Sequence, residues 1–311
     1  MNGPPPMPEG FSVGHWSDAE ARTGCTVVIP PPETRGGVDV RGGGPGTRET
    51  DVIDAMAGSH QVTGVVLAGG SAFGLAAADG AARWLEEHGR GYLTPGGLVP
   101  IVPAAVVYDL IEGDPSVRPG PDQGYAACEA ATPGVPQRGA VGAGCGTAVA
   151  KLFGRERATA AGVGYAAARG GRGDVVAALA VGNAFGDVIA EDGSVLAGPL
   201  GDDGTMRSTA EEIARMKGAP DWTRLEERNT TLVCLMTDAP LSTPGCTRVA
   251  RMASGGVARA VNPTFSDVDG DVVFCLASGR GEPDRFTAIS VGTIAATVTA
   301  AAIRDAVRSA A

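Results

Sequence analysis

A polar turn runs directly into an apolar stretch at Asn229-Thr230. The residues that follow, 231–236, are mostly β-branched or apolar, so Thr230 is predicted to begin a buried strand. If the bond before Thr230 were cut, one residue would carry both a hydroxyl and an α-amine. With a reference pKa of roughly 7.7–8.0, that amine could accept the hydroxyl proton. The structural alternative is that threonine is simply a good strand residue after an asparagine turn.

Two carboxylates in another segment could serve such an amine. Asp269 and Asp271 are two residues apart, so in an extended chain both side chains point to the same face. A carboxylate pair there could orient an ammonium group and balance its charge. The alternative is a hairpin turn, because Asp-Gly often precedes a strand in that role.

Three further polar residues are candidates for supporting roles. Asn183 follows the apolar run Val175–Val181, where a side-chain amide could donate to an oxyanion or merely start a turn. Lys151 ends the stretch of helical spacing Gly142–Lys151, where a solvated terminal charge is the ordinary explanation. Tyr108 could be a core residue or a hydroxyl donor.

Short apolar runs and alanine-rich stretches alternate along the chain and must position these residues. The runs that predict buried strands are Thr26–Ile29, Gly64–Leu67, Val175–Val181, Thr231–Met236 and Val272–Leu276. The stretches with helical spacing are Gly74–His88, Gly144–Leu152, Pro244–Arg259 and Val291–Ala310. Because the apolar runs show little polar alternation, both faces of each strand are predicted to be covered, as in a layered α/β protein.

The segment between Gly198 and Glu227 is polar and rich in turn residues, and it leads into the Thr230 strand. An exposed, flexible lead-in suits a cleavage site placed just before a buried strand.

Composition excludes several classes of function. The chain is 43% hydrophobic and 19% charged, without a continuous apolar run of about 18 residues, so we expect no membrane span. A net charge of −10 disfavours nucleic acid and anionic membranes and favours a small-molecule or peptide substrate. Residues 1–6 contain neither a basic stretch nor an apolar signal region, so we expect a cytoplasmic protein.

Cofactor and metal motifs are not found in the sequence. The six cysteines form no C-x-x-C pair and are expected to be small buried residues, and three histidines leave few candidates for a metal site or a catalytic triad. Residues Gly69–Gly74 lie between a predicted strand and helix but lack the G-x-S-x-G and G-x-G-x-x-G spacings. We therefore expect no metal and no cofactor.

An ordered series of motifs resembles the DmpA-type aminopeptidases, the P1 or S58 group. That group includes β-peptidyl aminopeptidases, a pantetheine hydrolase and the nylon-oligomer (6-aminohexanoate oligomer) hydrolase. The resemblance covers nearly the whole chain and rests on Val13–His15, Thr23–Val28, Arg41–Asp51, Leu67–Leu75, Gly142–Gly144, Asn229–Thr231, Thr237–Leu241 and Asp269–Asp271.

The resemblance implies an α/β (α+β) fold, a four-layer αββα sandwich of the DmpA/ornithine acetyltransferase type. It also implies one domain over residues 1–311 that cleaves itself into an α chain, 1–229, and a β chain, 230–311. By the same resemblance, Thr230 is the nucleophile, Asp269 and Asp271 are the acidic pair of threonine-type members, Asn183 is on the oxyanion side, and Lys151 and Tyr108 are supporting residues. The serine-type members carry serine in place of Thr230 and Asp269.

The function expected from these residues is that of a self-cleaving N-terminal-nucleophile hydrolase acting on amide bonds of small peptides or amides. By analogy with the family, we expect a homo-oligomer of αβ heterodimers. Two alternatives remain open from the sequence. One is an acyltransferase of the ornithine acetyltransferase type, and the other is a non-catalytic protein whose glycine loops bind a small anion.

Overall fold

The computed structural model describes residues 4–58, 61–218 and 229–310. The strands, in chain order, are β1 Ser12–Asp18, β2 Thr23–Ile29, β3 Arg35–Val40, β4 Thr47–Arg48, β5 Val65–Ala68, β6 Tyr92–Thr94, β7 Gly97–Val99, β8 Ala104–Val106, β9 Ala148–Val149, β10 Thr159–Ala160, β11 Val163–Arg169, β12 Val175–Asn183, β13 Asp187–Ile189, β14 Val195–Ala197, β15 Thr230–Thr237, β16 Val261–Asn262 and β17 Val272–Ala277. The α-helices are α1 Ala77–Glu87, α2 Pro121–Glu129, α3 Thr209–Arg215, α4 Thr243–Ala260 and α5 Thr287–Arg308.

Two five-stranded sheets form the centre of the fold. The first has the strand order β1-β2-β5-β8-β4, and the second has the order β11-β12-β15-β17-β3. Most neighbours are antiparallel, but β5 pairs with β8 and β15 pairs with β17 in parallel. Strand β15 therefore lies in the middle of the second sheet, with β12 on one side and β17 on the other.

Apolar cores separate four layers. The core between the two sheets contains Leu67, Leu179, Leu232 and Phe274. The second sheet also packs against α4 and α5 through Ala178, Val233, Val249 and Ile303. The first sheet packs against α1 and α2 through Val27, Val66, Leu85 and Cys128. The predicted αββα sandwich is thus confirmed, and the six cysteines are buried and unpaired, as expected.

Strand β15 shows why its sequence lacks polar alternation. Leu232, Cys234 and Met236 point into the core between the sheets, whereas Val233 and Leu235 point towards the helices. Because each face of the strand meets an apolar layer, every position can be apolar. The same holds for its neighbours β12 and β17, so the prediction that both strand faces are covered is confirmed.

One predicted helix is wrong. A 3₁₀ turn over Gly142–Gly144 ends where the stretch Gly144–Leu152 begins, and the stretch itself contains the short strand Ala148–Val149 instead of a helix. At Gly144 an added Cβ would overlap the main chain of Val163, so its small size serves close packing. Ala150 has a positive φ of 61°, which a right-handed helix does not allow.

A buried carboxylate anchors the helix α3, which lies in the lead-in to β15. Asp187 in β13 accepts hydrogen bonds from the main-chain N–H of Thr209, at 2.7 Å, and from its hydroxyl, which anchors the first turn of α3. Burial raises the pKa of Asp187 to about 6. The remainder of the predicted flexible lead-in, residues 219–227, lies outside the described part of the chain.

Helix α5 is long and apolar enough to cross a membrane, with a mean hydropathy of 1.3 over an 18-residue window. Its apolar side chains Val291, Ala295 and Ile303 are buried against α4 and the second sheet. Packing within the sandwich therefore accounts for its composition, because a helix in a protein core passes the same hydropathy test.

Candidate active site

The ends of two strands and the segment that precedes β17 meet at Thr230. Thr230 is the first residue of β15 and is 4% exposed. It lies opposite Asn183, the last residue of β12, in the antiparallel register. The preceding residue, Asn229, forms an isolated parallel bridge with Asp269. Strand pairing alone thus brings together candidate residues that are far apart in the sequence.

The carbonyl group between Asn229 and Thr230 is held by the main chain on both sides. The N–H of Asn229 donates to the carbonyl oxygen of Val268 at 2.9 Å, and the N–H of Gly270 donates to the carbonyl oxygen of Asn229 at 2.7 Å. The hydroxyl of Thr230 donates to that same oxygen at 2.5 Å. A hydroxyl and a main-chain donor therefore converge on one peptide carbonyl.

Asp271 is fixed beside the nucleophile candidate. One of its carboxylate oxygens accepts from the N–H of Thr231 at 2.5 Å. The other accepts from the hydroxyl of Thr264 at 3.0 Å and the N–H of Phe265 at 3.1 Å. The carboxylate is 2% exposed, so these donors replace water.

Asp269 has a separate set of partners. It accepts from the N–H of Phe185 at 3.2 Å, and from the N–H and hydroxyl of Ser266 at 3.3 and 2.5 Å. It is 1% exposed. The segment does not form the hairpin turn that Asp-Gly often signals; it runs parallel to the start of β15 instead.

Burial raises the pKa of both carboxyl groups, Asp269 and Asp271. Desolvation raises the pKa of Asp271, and the nearby charge of Asp269 raises it further. Desolvation also raises the pKa of Asp269, while hydrogen bonds from Ser266 and Phe185 and the positive charge of Lys151 act in the opposite direction. A new ammonium group at Thr230 would favour the ionised form of both carboxylates.

Lys151 is buried rather than solvated. It is 3% exposed, and its Nζ donates to the Oδ1 of Asn183 at 2.7 Å and to the carbonyl oxygen of the same residue at 3.1 Å. The ordinary explanation, a solvated charge at a helix end, is therefore wrong. Because an ammonium has only donors, it fixes which side of the Asn183 amide is the oxygen.

This orientation leaves the Nδ2 of Asn183 as a donor. It donates to the carbonyl oxygen of Tyr108 at 3.3 Å. An amide nitrogen carries two hydrogens, so the group has a second one to offer. Tyr108, which is half-buried, thus contacts Asn183 through its main chain, and a role for its hydroxyl stays a prediction.

Glycines 42–44, which have no role assigned from the sequence, support residues 266–271, the acidic segment. The N–H groups of Arg41, Gly43 and Gly44 donate to the carbonyl oxygens of Asp271, Ser266 and Asp269 at 3.0, 3.1 and 2.8 Å, respectively. A side chain at Gly42 would overlap the main chain of Asp269. The sequence signal was the unbroken glycine run 42–44, which permits such close approach.

Gly270 is expected to be intolerant of a side chain. A Cβ there would lie 2.8 Å from the carbonyl oxygen of Gly44 and 3.0 Å from the Oγ1 of Thr230. We expect Gly270→Ala to displace the candidate reacting groups and to slow the predicted cleavage after Asn229 about 10- to 100-fold, because a small misplacement of reacting atoms has effects of that size. Pulse labelling in cell-free translation, followed by denaturing electrophoresis, measures the rate.

Gly255→Ala is the matched control, because a Cβ at that position of α4 meets nothing within 4 Å. It should cleave at the wild-type rate. Equal rates for the two alanine variants would contradict the importance of the close contact at Gly270.

Comparison with known proteins identifies the family. The model of peptidase family S58 matches residues 9–311. The chain belongs to peptidase family S58. An uncharacterized aminopeptidase of Mycobacterium leprae is 43% identical to this S58 chain over 293 residues, which are 88% of this chain and 78% of the relative. The 6-aminohexanoate-oligomer endohydrolase of Agromyces sp. is 30% identical over 86% of this chain and 73% of its own length.

Solved structures show the same fold. The β-aminopeptidase of Burkholderia sp. superimposes with a TM-score of 0.70 at 22% identity, covering 96% of this chain and 84% of the other. The L-aminopeptidase D-Ala-esterase/amidase of Ochrobactrum anthropi, described as a variant of the Ntn hydrolase fold, gives a TM-score of 0.69 at 20% identity, with coverage of 96% and 84%. Family membership shows that this S58 chain is a hydrolase of amide or peptide bonds, and the solved structures show its fold. The acyltransferase and anion-binding alternatives are not favoured.

Proposed function

We propose that this S58 hydrolase cleaves its own chain between Asn229 and Thr230, and that the freed Thr230 is the nucleophile for small peptide or amide substrates. One observation carries the proposal. The hydroxyl of Thr230 and the N–H of Gly270 both lie within hydrogen-bonding distance of the carbonyl oxygen of Asn229.

Self-cleavage begins with attack of the Thr230 oxygen on the carbonyl carbon of Asn229. Negative charge develops on the carbonyl oxygen, which the N–H of Gly270 stabilises. The carbon–nitrogen bond breaks, the nitrogen takes the hydroxyl proton, and Asn229 becomes an ester on Thr230. Water then hydrolyses the ester, which leaves a carboxylate on Asn229 and restores the Thr230 hydroxyl beside its new amine.

Turnover repeats this chemistry with a substrate amide. The amine of Thr230 accepts the proton of its own hydroxyl, and the oxygen attacks the substrate carbonyl carbon. The leaving amine takes the proton as its bond to carbon breaks, and water hydrolyses the acyl-enzyme. We assign the Nδ2 of Asn183 to donate to the substrate oxyanion, because Asn183 lies across from Thr230 in the strand register.

Cleavage changes the charged groups of the site. The intact chain buries two carboxylates, Asp269 and Asp271, with the ammonium of Lys151. Cleavage adds a second ammonium, on Thr230, together with the carboxylate of Asn229. We assign the carboxylates to orienting this amine and favouring its protonated form during proton transfer. Lys151 holds Asn183 in the donor orientation, and Tyr108 supports it from the other side.

Small peptides and amides are the proposed substrates. Support comes from the names of relatives, one an aminopeptidase and another an endohydrolase of 6-aminohexanoate oligomers. A net charge of −10 further supports the proposal that nucleic acid and anionic membranes are not partners. We also propose a cytoplasmic homo-oligomer of αβ heterodimers, which light scattering of the purified enzyme tests by its mass.

Denaturing electrophoresis of purified protein tests the self-cleavage. At the chain's average of about 0.1 kDa per residue, we expect bands of about 23 and about 8 kDa, for residues 1–229 and 230–311. The smaller fragment should give the N-terminal sequence Thr-Thr-Leu-Val. A single intact band in a preparation that hydrolyses amides would overturn the proposed mechanism.

A further inference from the structure

A mostly apolar cavity of about 570 Å³ opens beside the acidic segment. Its apolar lining residues are Leu152, Phe185, Ile213, Met216, Pro263 and Val268. Lys217, Ser266 and Asp267 add polar groups to the lining. A concave, largely apolar site of this size with a few polar groups is typical of small-molecule binding sites.

Three lining residues adjoin candidate catalytic residues in the chain or contact them. Leu152 follows Lys151 in the chain, and Val268 precedes Asp269. The N–H of Phe185 donates to the carboxylate of Asp269. Neighbouring Cα atoms are about 3.8 Å apart, so the inner wall of the cavity adjoins the candidate catalytic cluster.

The outer wall of the cavity, formed by Ile213 and Met216, has apolar side chains that are partly exposed among the described residues. Ile213 in α3 is 40% exposed, and Met216, directly after the helix, is 37% exposed. The buried contact between Asp187 and Thr209 holds the start of this helix in place. The wall is therefore anchored, and its apolar surface faces a cavity rather than the core.

We propose that this cavity is the subsite for the acyl part of the substrate, and that it selects acyl groups with an apolar side chain of leucine size or larger. The inference rests on the proposed function, in which an acyl group becomes bonded to the oxygen of Thr230. The ester of self-cleavage and the acyl-enzyme of turnover are the same kind of bond on the same atom. A substrate acyl group therefore begins where Asn229 lies, next to Val268, whose carbonyl oxygen accepts from Asn229 at 2.9 Å.

The cavity predicts a graded preference for apolar acyl groups. Burial of one methylene group favours binding by about fourfold, so the leucyl group should exceed the alanyl group in kcat/KM by about tenfold or more. Alanine p-nitroanilide and leucine p-nitroanilide share the same leaving group. The ratio of their kcat/KM values therefore reports on the acyl subsite alone.

Filling the cavity from its outer wall tests the assignment. Ile213→Trp adds bulk at a partly exposed position that is remote in sequence from the candidate catalytic residues. We expect the leucine-to-alanine ratio of kcat/KM to fall to about one, because the tryptophan occupies space that the leucyl side chain would otherwise fill. Ile289→Trp is the matched control, because Ile289 is 54% exposed on α5 and does not line the cavity. It should keep the wild-type ratio.

The outcomes separate the subsite from the proposed function. A cleaved and active Ile213→Trp enzyme that keeps the wild-type ratio would overturn the subsite and leave the self-cleavage mechanism intact. So would a cleaved wild-type enzyme without preference for leucine. If Ile213→Trp does not fold, Ile213→Ala provides the second measurement, since removing that wall should lower the ratio at least threefold. Wild-type protein that neither cleaves itself nor hydrolyses either anilide would overturn the proposed function itself.

Discussion

Thr230→Val is expected to leave the chain in one piece and to reduce amide hydrolysis by about 10⁴-fold or more. Valine keeps the branched shape that the first position of β15 requires but removes the oxygen that attacks. Loss of a covalent nucleophile commonly costs this much, because the remaining site offers only binding and oxyanion stabilisation. Denaturing electrophoresis measures the cleavage, and release of p-nitroaniline from leucine p-nitroanilide measures the hydrolysis.

The neighbouring threonine provides a matched control. Thr231 is fully buried in the same strand, and its hydroxyl finds no hydrogen-bond partner within the described part of the chain. Thr231→Val therefore makes the same chemical change one residue later without removing a hydrogen bond. It should cleave and hydrolyse like wild type. Cleavage of Thr230→Val at the wild-type position would remove Thr230 from the mechanism.

The sandwich was predictable because its strands are apolar on both faces. A run such as Val175–Val181 must lie between two apolar layers, and the structure places it between α5 and the other sheet. The same compositional reasoning was wrong for Gly144–Leu152. Alanine favours helices, but here alanine and glycine are small so that neighbouring main chains can approach, and sequence alone does not distinguish the two uses.

The site was predictable only where its geometry is local. The two-residue spacing of Asp269 and Asp271 is a property of an extended chain, and the structure places both carboxylates beside the start of β15. The approach of Asn183 to Thr230 depends on the register between β12 and β15, which short-range patterns do not determine. The support from Gly42–Gly44 likewise depends on contacts between segments more than 200 residues apart.

Lys151 was the residue whose environment the sequence least revealed. A lysine at the predicted end of a helix should be solvated. Lys151 is buried instead, and its ammonium donates to the Oδ1 of Asn183. Its positive charge is one of the factors that lower the pKa of Asp269 against the effect of burial. A buried carboxylate pair without that cation would hold more protons at neutral pH. Lys151 thus contacts the proposed oxyanion donor, Asn183, and also lowers the pKa of Asp269.

We therefore expect Lys151→Met to lower the midpoint of thermal unfolding by about 6 °C or more, and to slow cleavage of a chain that retains Thr230. Breaking a buried charge interaction typically costs about 3–5 kcal/mol, and each kcal/mol shifts the midpoint by about 2–4 °C. Unfolding should be compared in the Thr230→Val background, where both proteins are single chains.

Without Lys151 the pKa of Asp269 rises further above its unfolded value, so the carboxylates gain protons as the pH falls. The loss of stability should therefore be larger at pH 7.5 than at pH 5. Lys217→Met replaces the other lysine of the chain, which is exposed, and should leave the unfolding midpoint unchanged. A Lys151→Met protein as stable as this control at both pH values would show that the ammonium does not balance the buried carboxylates.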